Sequence, residues 1–237
     1  MASALTDRFG CKRRQAEESA FLRLPIELLV QIYRCDNQDY GCITLRQLLR
    51  HCAVCKLFNR VLPSAVVRIR HLRAKMYQPF LQVFLPKCAE LQRLDLGSIG
   101  AAGAVLLAVA LPQCARLQHL SLGSNNIGNK GAAALAVVLP QCAALQHLNL
   151  ENNGISPIRS LAVVLPQCAA LQHLNLENNG IDAEGAASLA VALPQCVALH
   201  HLNLGYNPGI GAEGTASLAV ALPQCASLQH LDLRCSR

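Results

Sequence analysis

Five histidines with a common setting, His119, His147, His173, His201 and His230, are the residues of this 237-residue chain whose type and spacing first suggest chemistry. Each stands just before a Leu-x-Leu pair. Neutral imidazole is a good ligand for zinc and copper, but a metal needs nitrogens that converge. Residues repeated on neighbouring strands lie about 4.8 Å apart and form a ladder that diverges along an arc. No metal is expected here, and the column reads as one position copied with its repeat. Glu151 and Glu177 are likewise copies of one position, not an acid/base pair in differing environments. Cys52-Ala-Val-Cys55 beside His51 has a zinc or redox outline. A zinc site needs a second close pair, which Cys35 or Cys42 would have to supply, and Cys55 fits better on the apolar face of a helix. The basic run Arg68-x-Arg70-His71-x-Arg73-x-Lys75 has no interleaved aromatic apart from Tyr77, so a solvated helix face is expected rather than a nucleic-acid site. Gly-rich phosphate loops and a Gly-x-Ser-x-Gly elbow are missing. The chain is expected to bind rather than catalyse, with no cofactor.

Composition narrows the class further. The apolar share is 52% with 4% aromatics and no Trp, which points to small repeated packing units of Leu, Ala and Val. Residues 1–90 carry 15 Lys and Arg against 7 Asp and Glu, whereas residues 91–237 carry 6 against 7. Only the first part has the charge to seek an acidic partner. Of the twelve cysteines, Cys114, Cys142, Cys168, Cys196 and Cys225 recur in Leu-Pro-Gln-Cys, with Cys88 in Leu-Pro-Lys-Cys. Such recurrence predicts reduced thiols acting as small buried hydrophobes. The start, Met1–Ala20, is polar and has no apolar signal stretch. The apolar run Ala101–Leu111 is too short to span a membrane. The cytosol, or the nucleus, is the expected compartment.

Internal repetition sets the architecture. The frame Leu-x-x-Leu-x-Leu starts at Leu91, Leu117, Leu145, Leu171, Leu199 and Leu228, at intervals of 26, 28, 26, 28 and 29 residues. Alternation within Leu-x-Leu predicts a short strand. Asn125, Asn153, Asn179 and Asn207 each fall three residues past the last strand Leu, where an amide can satisfy backbone groups freed by the turn. Small residues at helical spacing follow, as in Gly185–Leu193, and Pro194 then stops the helix. This unit resembles the ribonuclease-inhibitor type of leucine-rich repeat over residues 81–237. The resemblance implies an α/β solenoid of about five and a half repeats, with parallel strands inside and helices outside, beginning with a helical half-unit at Leu81–Glu90. Two units depart from the pattern. The repeat at Leu91 is two residues short and has Ile99 in place of the Asn, and the one at Leu145 carries Pro157 where its helix should begin. The strand ending near Arg234 is expected to be an uncapped edge.

Residues 21–75 follow different rules. Leu24-Pro25-x-Glu27-Leu28-Leu29-x-x-Ile32 places a proline at a helix start with apolar residues at helical spacing. Val54-Cys55-Lys56-Leu57-Phe58 follows a polar break and a second apolar stretch. Together they resemble an F-box, although the interval is longer than usual and the closing Trp is missing. The resemblance implies a helical module over residues 21–75, after a flexible segment 1–20 and before repeats over 76–237. It further implies a substrate receptor of a Skp–cullin–F-box ubiquitin ligase. Leu24, Pro25, Leu28, Ile32, Val54, Cys55 and Phe58 would then meet a Skp-type adaptor while the repeats hold a protein substrate. A repeat scaffold whose N-terminal helices merely cap the solenoid is the alternative. A small-GTPase regulator is a third reading; Ran GTPase-activating proteins share the repeat type but use an Arg in an early loop, whereas Arg93 falls on a strand. Neither nucleic acid nor membrane is expected as a partner.

With the frame leucines buried, period two turns the intervening residues outward. The expected partner-binding concave face therefore comprises His119, then His147, Asn149 and Glu151, then His173, Asn175 and Glu177, then His201 and Asn203, and finally His230, Asp232 and Arg234.

Overall fold

The computed structural model describes residues 68–72, 81–82, 85–88 and 90–236. The helices expected to carry Leu24, Pro25, Leu28, Ile32, Val54, Cys55 and Phe58, and the Cys52–Cys55 pair, lie outside these residues.

Every copy of the leucine frame forms a strand: β2 (Arg93–Leu96), β3 (His119–Ser121), β4 (His147–Asn149), β5 (His173–Asn175), β6 (His201–Asn203) and β7 (His230–Asp232). Ahead of them lies β1 (Arg68–Leu72). The seven strands form one parallel sheet in chain order. Between successive strands from β2 onward run α1 (Gly100–Ala110), α2 (Gly128–Val138), α3 (Arg159–Val164), α4 (Ala183–Ala192) and α5 (Gly211–Ala221). Register is constant from β2 to β7, so Leu94, Leu120, Leu148, Leu174, Leu202 and Leu231 stack as one column.

The strand β1 corrects two expectations. Arg68, Arg70 and His71 lie on a strand, not on a helix face, and the solenoid begins before the half-unit at residue 81. The sequence disguised it because the register slips between Ile69 and Leu72, which pair with Leu94 and Leu96. One extra residue breaks the Leu-x-Leu alternation, as a bulge does. The Leu81–Glu90 stretch lies between β1 and β2. Its described part contains a 3-10 turn at Leu85–Lys87, with Leu81, Leu85 and Cys88 fully buried.

Burial follows from chemistry repeated unit by unit. In the fourth repeat Leu171, Leu174, Leu176, Ile181, Ala186, Leu189 and Leu193 all lie in the core. Helices approach one another through glycine and alanine. A Cβ added at Gly131 would lie 2.3 Å from Ile127 Cγ2 and 2.9 Å from Ala104 Cβ, so only glycine fits there. Each full helix ends where Leu-Pro-Gln begins, and that tripeptide forms a 3-10 turn. The proline supplies no N–H to continue the helical ladder. As Pro157 suggested, the third helix is shortened, to six residues.

The buried asparagines hold the repeats in register. Asn125, Asn153, Asn179 and Asn207 are at most 2% exposed. The Asn179 carboxamide oxygen accepts the N–H groups of Asn153 and Ile155, at 3.0 and 3.2 Å, in the preceding repeat. Its amide donates to Leu150 O at 2.8 Å and Glu177 O at 3.1 Å. Ile99 does not stand in the asparagine position. Its N–H donates to Asn125 Oδ1 as that of Ile127 donates to Asn153 Oδ1. The first unit has lost the asparagine and its neighbour outright, and Ile99 corresponds to Ile127. At the other end Ser236 fills the position: it is buried, and its hydroxyl donates to Leu204 O at 3.0 Å.

Candidate functional site

The open face of the sheet is a shallow depression of about 420 Å3, floored by the strand residues of β3 to β7. Its side chains fall into three columns. The strand register sets His119, His147, His173, His201 and His230 side by side. Their rings stack: centroids are 4.1 Å apart for His119–His147, 4.2 Å for His147–His173 and 4.4 Å for His173–His201, with interplanar angles of 10°. The last pair, His201–His230, opens to 5.6 Å and 41°. Parallel rings place their nitrogens side by side rather than around a common point. Among the described residues, no group of three or more His, Cys, Asp or Glu could hold a metal ion.

Stacking fixes the charge state of the inner rungs. Partial burial, then the neighbouring His119 and His173, then Arg93 and His201, pull His147 down to about 4. Burial, followed by His201 and His200, lowers His173. All these influences disfavour the imidazolium, so both rings are neutral at pH 7.

The second column comprises Asn149, Asn175, Asn203 and Asp232. Each side-chain oxygen accepts the backbone N–H two residues on: Glu151 at 2.9 Å, Glu177 at 3.0 Å, Gly205 at 2.9 Å and Arg234 at 3.0 Å. This local bond is typical of Asx residues leaving a strand. The third column binds diagonally to the second. Asn175 Nδ2 donates to Glu151 Oε2 at 3.4 Å, and Asn203 Nδ2 donates to Glu177 Oε2 at 2.8 Å. Arg234 closes the row on Asp232 at 2.7 Å and holds that carboxyl below its usual range, chiefly through its side-chain hydrogen bond.

The twelve residues expected on the concave face fall in three columns, nine of them on the strands and Glu151, Glu177 and Arg234 two residues past strand ends. Amides and carboxylates of neighbouring repeats are joined across the face. Two further residues belong to the face. Arg93 pairs with His119 in the strand register and extends the histidine column, and Ser121 occupies the asparagine position of β3. Frame position alone identifies both.

The Leu-Pro-Gln-Cys thiols each close a 3-10 turn ahead of the next strand. Cys114 and Cys142 are buried as expected, but Cys168, Cys196 and Cys225 are only partly so. Each of the five points its sulfur at the carbonyl four residues earlier, from 3.9 Å in Cys114 to 3.3 Å in Cys225. Burial pushes Cys114 up to about 12, and Cys142, Cys168 and Cys196 up to about 11. The outer face of the helices presents Val109, Val137, Val163, Val191 and Val220, each more than 70% exposed. No described helix is long and apolar enough to cross a membrane.

Comparison with known proteins agrees with this architecture. Residues 113–136, 167–190 and 195–219 match the family model described as Leucine Rich repeat. No curated protein matches the sequence. Among solved structures, the chain is similar to a leucine-rich-repeat protein of Leptospira interrogans, with 21% identity and a TM-score of 0.51 over 84% of this chain. It also matches an internalin of Listeria monocytogenes, with 14% identity and a TM-score of 0.46 over 79% of this chain. The chain spans 47% of the first and 54% of the second. The fold is a leucine-rich-repeat solenoid.

Proposed function

We propose that this leucine-rich-repeat chain is a protein-interaction module whose open sheet face holds a protein partner, and that it performs no chemistry of its own. One observation carries the reading. The face is a continuous depression spanning five strands, with amides and carboxylates tied to one another across repeats by hydrogen bonds. A surface so ordered loses little side-chain freedom when a partner arrives. A photo-crosslinking residue placed at His173, with another at Val163 on the helix face, tests it. Crosslinks from position 173 and none from 163 are the expected outcome; the reverse would move the site to the helices.

Within that reading we assign the role of substrate receptor in a Skp–cullin–F-box ubiquitin ligase, in the cytosol or nucleus. Its support is the pairing of Leu24, Pro25, Leu28 and Ile32 with Val54, Cys55 and Phe58, and the excess of 15 basic over 7 acidic residues in 1–90. The alternation of strands with α-helices of ten or eleven residues in α1, α2, α4 and α5 favours the ribonuclease-inhibitor class of repeat. The mechanism is proximity: substrate lysines are held at high effective concentration beside a conjugating enzyme. The whole chain should bind a purified Skp-type adaptor at micromolar concentration, and Pro25→Ala with Leu28→Ala should abolish this while leaving the thermal melt of the repeats unchanged. If the unaltered chain does not bind, the ligase role falls and the interaction module remains.

A further inference from the structure

Two of the three columns on the sheet face are tied into the structure by hydrogen bonds. Asn149, Asn175 and Asn203 have their oxygens engaged by backbone N–H groups, and Glu151 and Glu177 accept amides from the next repeat. Asp232 is paired with Arg234. The histidine column is different. His147, His173, His201 and His230 touch one another as rings, and their side chains make no hydrogen bond among the described residues. Beside them, Nδ1 of His200 is buried without a partner. Every neutral imidazole has one N–H to donate and one nitrogen to protonate. The ring nitrogens of these four histidines are thus open to a partner.

We propose that this imidazole column binds an acidic peptide segment, one carboxylate to each protonated ring, so that capture takes up protons. The proposal rests on the sheet face being the partner site. A carboxylate set against a ring offsets both its burial and the repulsion of its neighbours, and so favours the imidazolium form that the free ladder resists. The groups acting on the column are Arg93 at its start, His200 beside His173, and the flanking Asp95, Glu151, Glu177, Asp232 and Arg234. Rings 4.1–4.4 Å apart discourage charge on adjacent rungs, so alternate rungs take protons. Alternate strands lie about 9.6 Å apart, close to one turn of a polyproline II strand of three residues, which brings every third side chain back to the same side and suits carboxylates at every third position. Peptide is favoured over nucleic acid because residues 91–237 carry 6 basic against 7 acidic groups. A phosphate backbone needs a surplus of fixed positive charge, whereas a carboxylate can share its proton with the ring.

The test is fluorescence polarisation with the whole chain and three labelled probes at constant ionic strength, between pH 7.5 and 5.5. One probe is a Gly/Ser peptide with Glu at every third position, the second its Gln counterpart, and the third an oligothymidylate. Affinity for the Glu peptide should rise at least tenfold as the pH falls, while the Gln peptide stays unaffected. The combined variant His147→Gln, His173→Gln and His201→Gln should lose the rise, with its thermal melt at pH 7.5 confirming that it folds. His173→Lys, with a fixed charge, should bind the Glu peptide already at pH 7.5. A flat pH profile, an equal rise in the Gln variant, or tighter binding of the oligothymidylate would overturn the proposal. If that variant releases a crosslinked natural partner although the parent never binds the Glu peptide, the carboxylate chemistry fails and the sheet-face site stands.

Discussion

The side-chain oxygen of Asn153 accepts the backbone N–H of Asn125, 3.0 Å away and one repeat earlier, and the N–H of Ile127 at 3.3 Å. Its amide donates back to Leu122 O in that same repeat at 2.8 Å. One buried carboxamide thus bridges two repeats in both directions. Repeated at Asn125, Asn179 and Asn207, the bridge keeps the strands in step and the sheet face continuous.

Asn153→Ala leaves two buried N–H groups unpaired, each costing about 1–3 kcal/mol. Urea unfolding should show a loss of roughly 2–6 kcal/mol, against about 0.5 kcal/mol or less for the half-exposed Ser188→Ala, whose hydroxyl bonds only its own helix. Equal, small losses in both variants would mean that the amides do not hold the repeats together.

Gly131→Ala tests the helix contact. Alanine is intrinsically the better helix former by about 1 kcal/mol, yet its methyl would meet Ile127 and Ala104. Overpacking of this kind costs about 1–3 kcal/mol, so the melting temperature should fall. A rise would show that the helices can separate without loss.

Much of this organisation was legible in the sequence because it repeats. Six copies of the leucine frame placed six strands, and the position of Asn179 in one copy placed its equivalents in the others. What escaped lay where the copying is imperfect. The strand at Arg68–Leu72 has an extra residue that breaks the alternation. Ser236 replaces the asparagine with a different residue type, although three positions past Leu233 it could have been read. The internal pairing of Glu177 with Asn203 joins residues from different repeats, and spacing within one repeat carries no sign of it.

Thiol reactivity should be graded along the solenoid. Cys235, which is exposed, should react first with a disulfide reagent at pH 8, the partly buried Cys225, Cys196 and Cys168 next, and Cys142 and Cys114 last. The order follows access and the thiolate fraction, which is smallest for Cys114 with its pKa near 12. Mass spectrometry of timed samples reads the order, and rapid labelling of Cys114 in the folded protein would contradict its placement.

Stability should fall on mild acidification. His147 has a pKa of about 4 in the folded chain against 6.5 ordinarily, and His173 is also lowered. Between those values the unfolded chain binds more protons, so the stabilisation is present above about 6.5 and is lost as the pH falls towards 4. The urea midpoint should therefore decrease from pH 7 to pH 5, and the decrease should be smaller in His147→Gln with His173→Gln. An identical decrease in that variant would place the acid sensitivity elsewhere.

A partner held by the sheet face rather than the helix face depends on the column residues and not on the exposed valines. The most direct measurement is the affinity of a partner trapped by crosslinking, purified and titrated against three forms of the whole chain. These are the parent, a variant with His147, His173 and Glu177 changed to Ala, and one with Val137, Val163 and Val191 changed to Ser. The first variant should lose affinity at least tenfold with its melting temperature nearly unchanged, while the second binds as the parent does. Full affinity in the sheet variant, with loss in the valine variant, would contradict it.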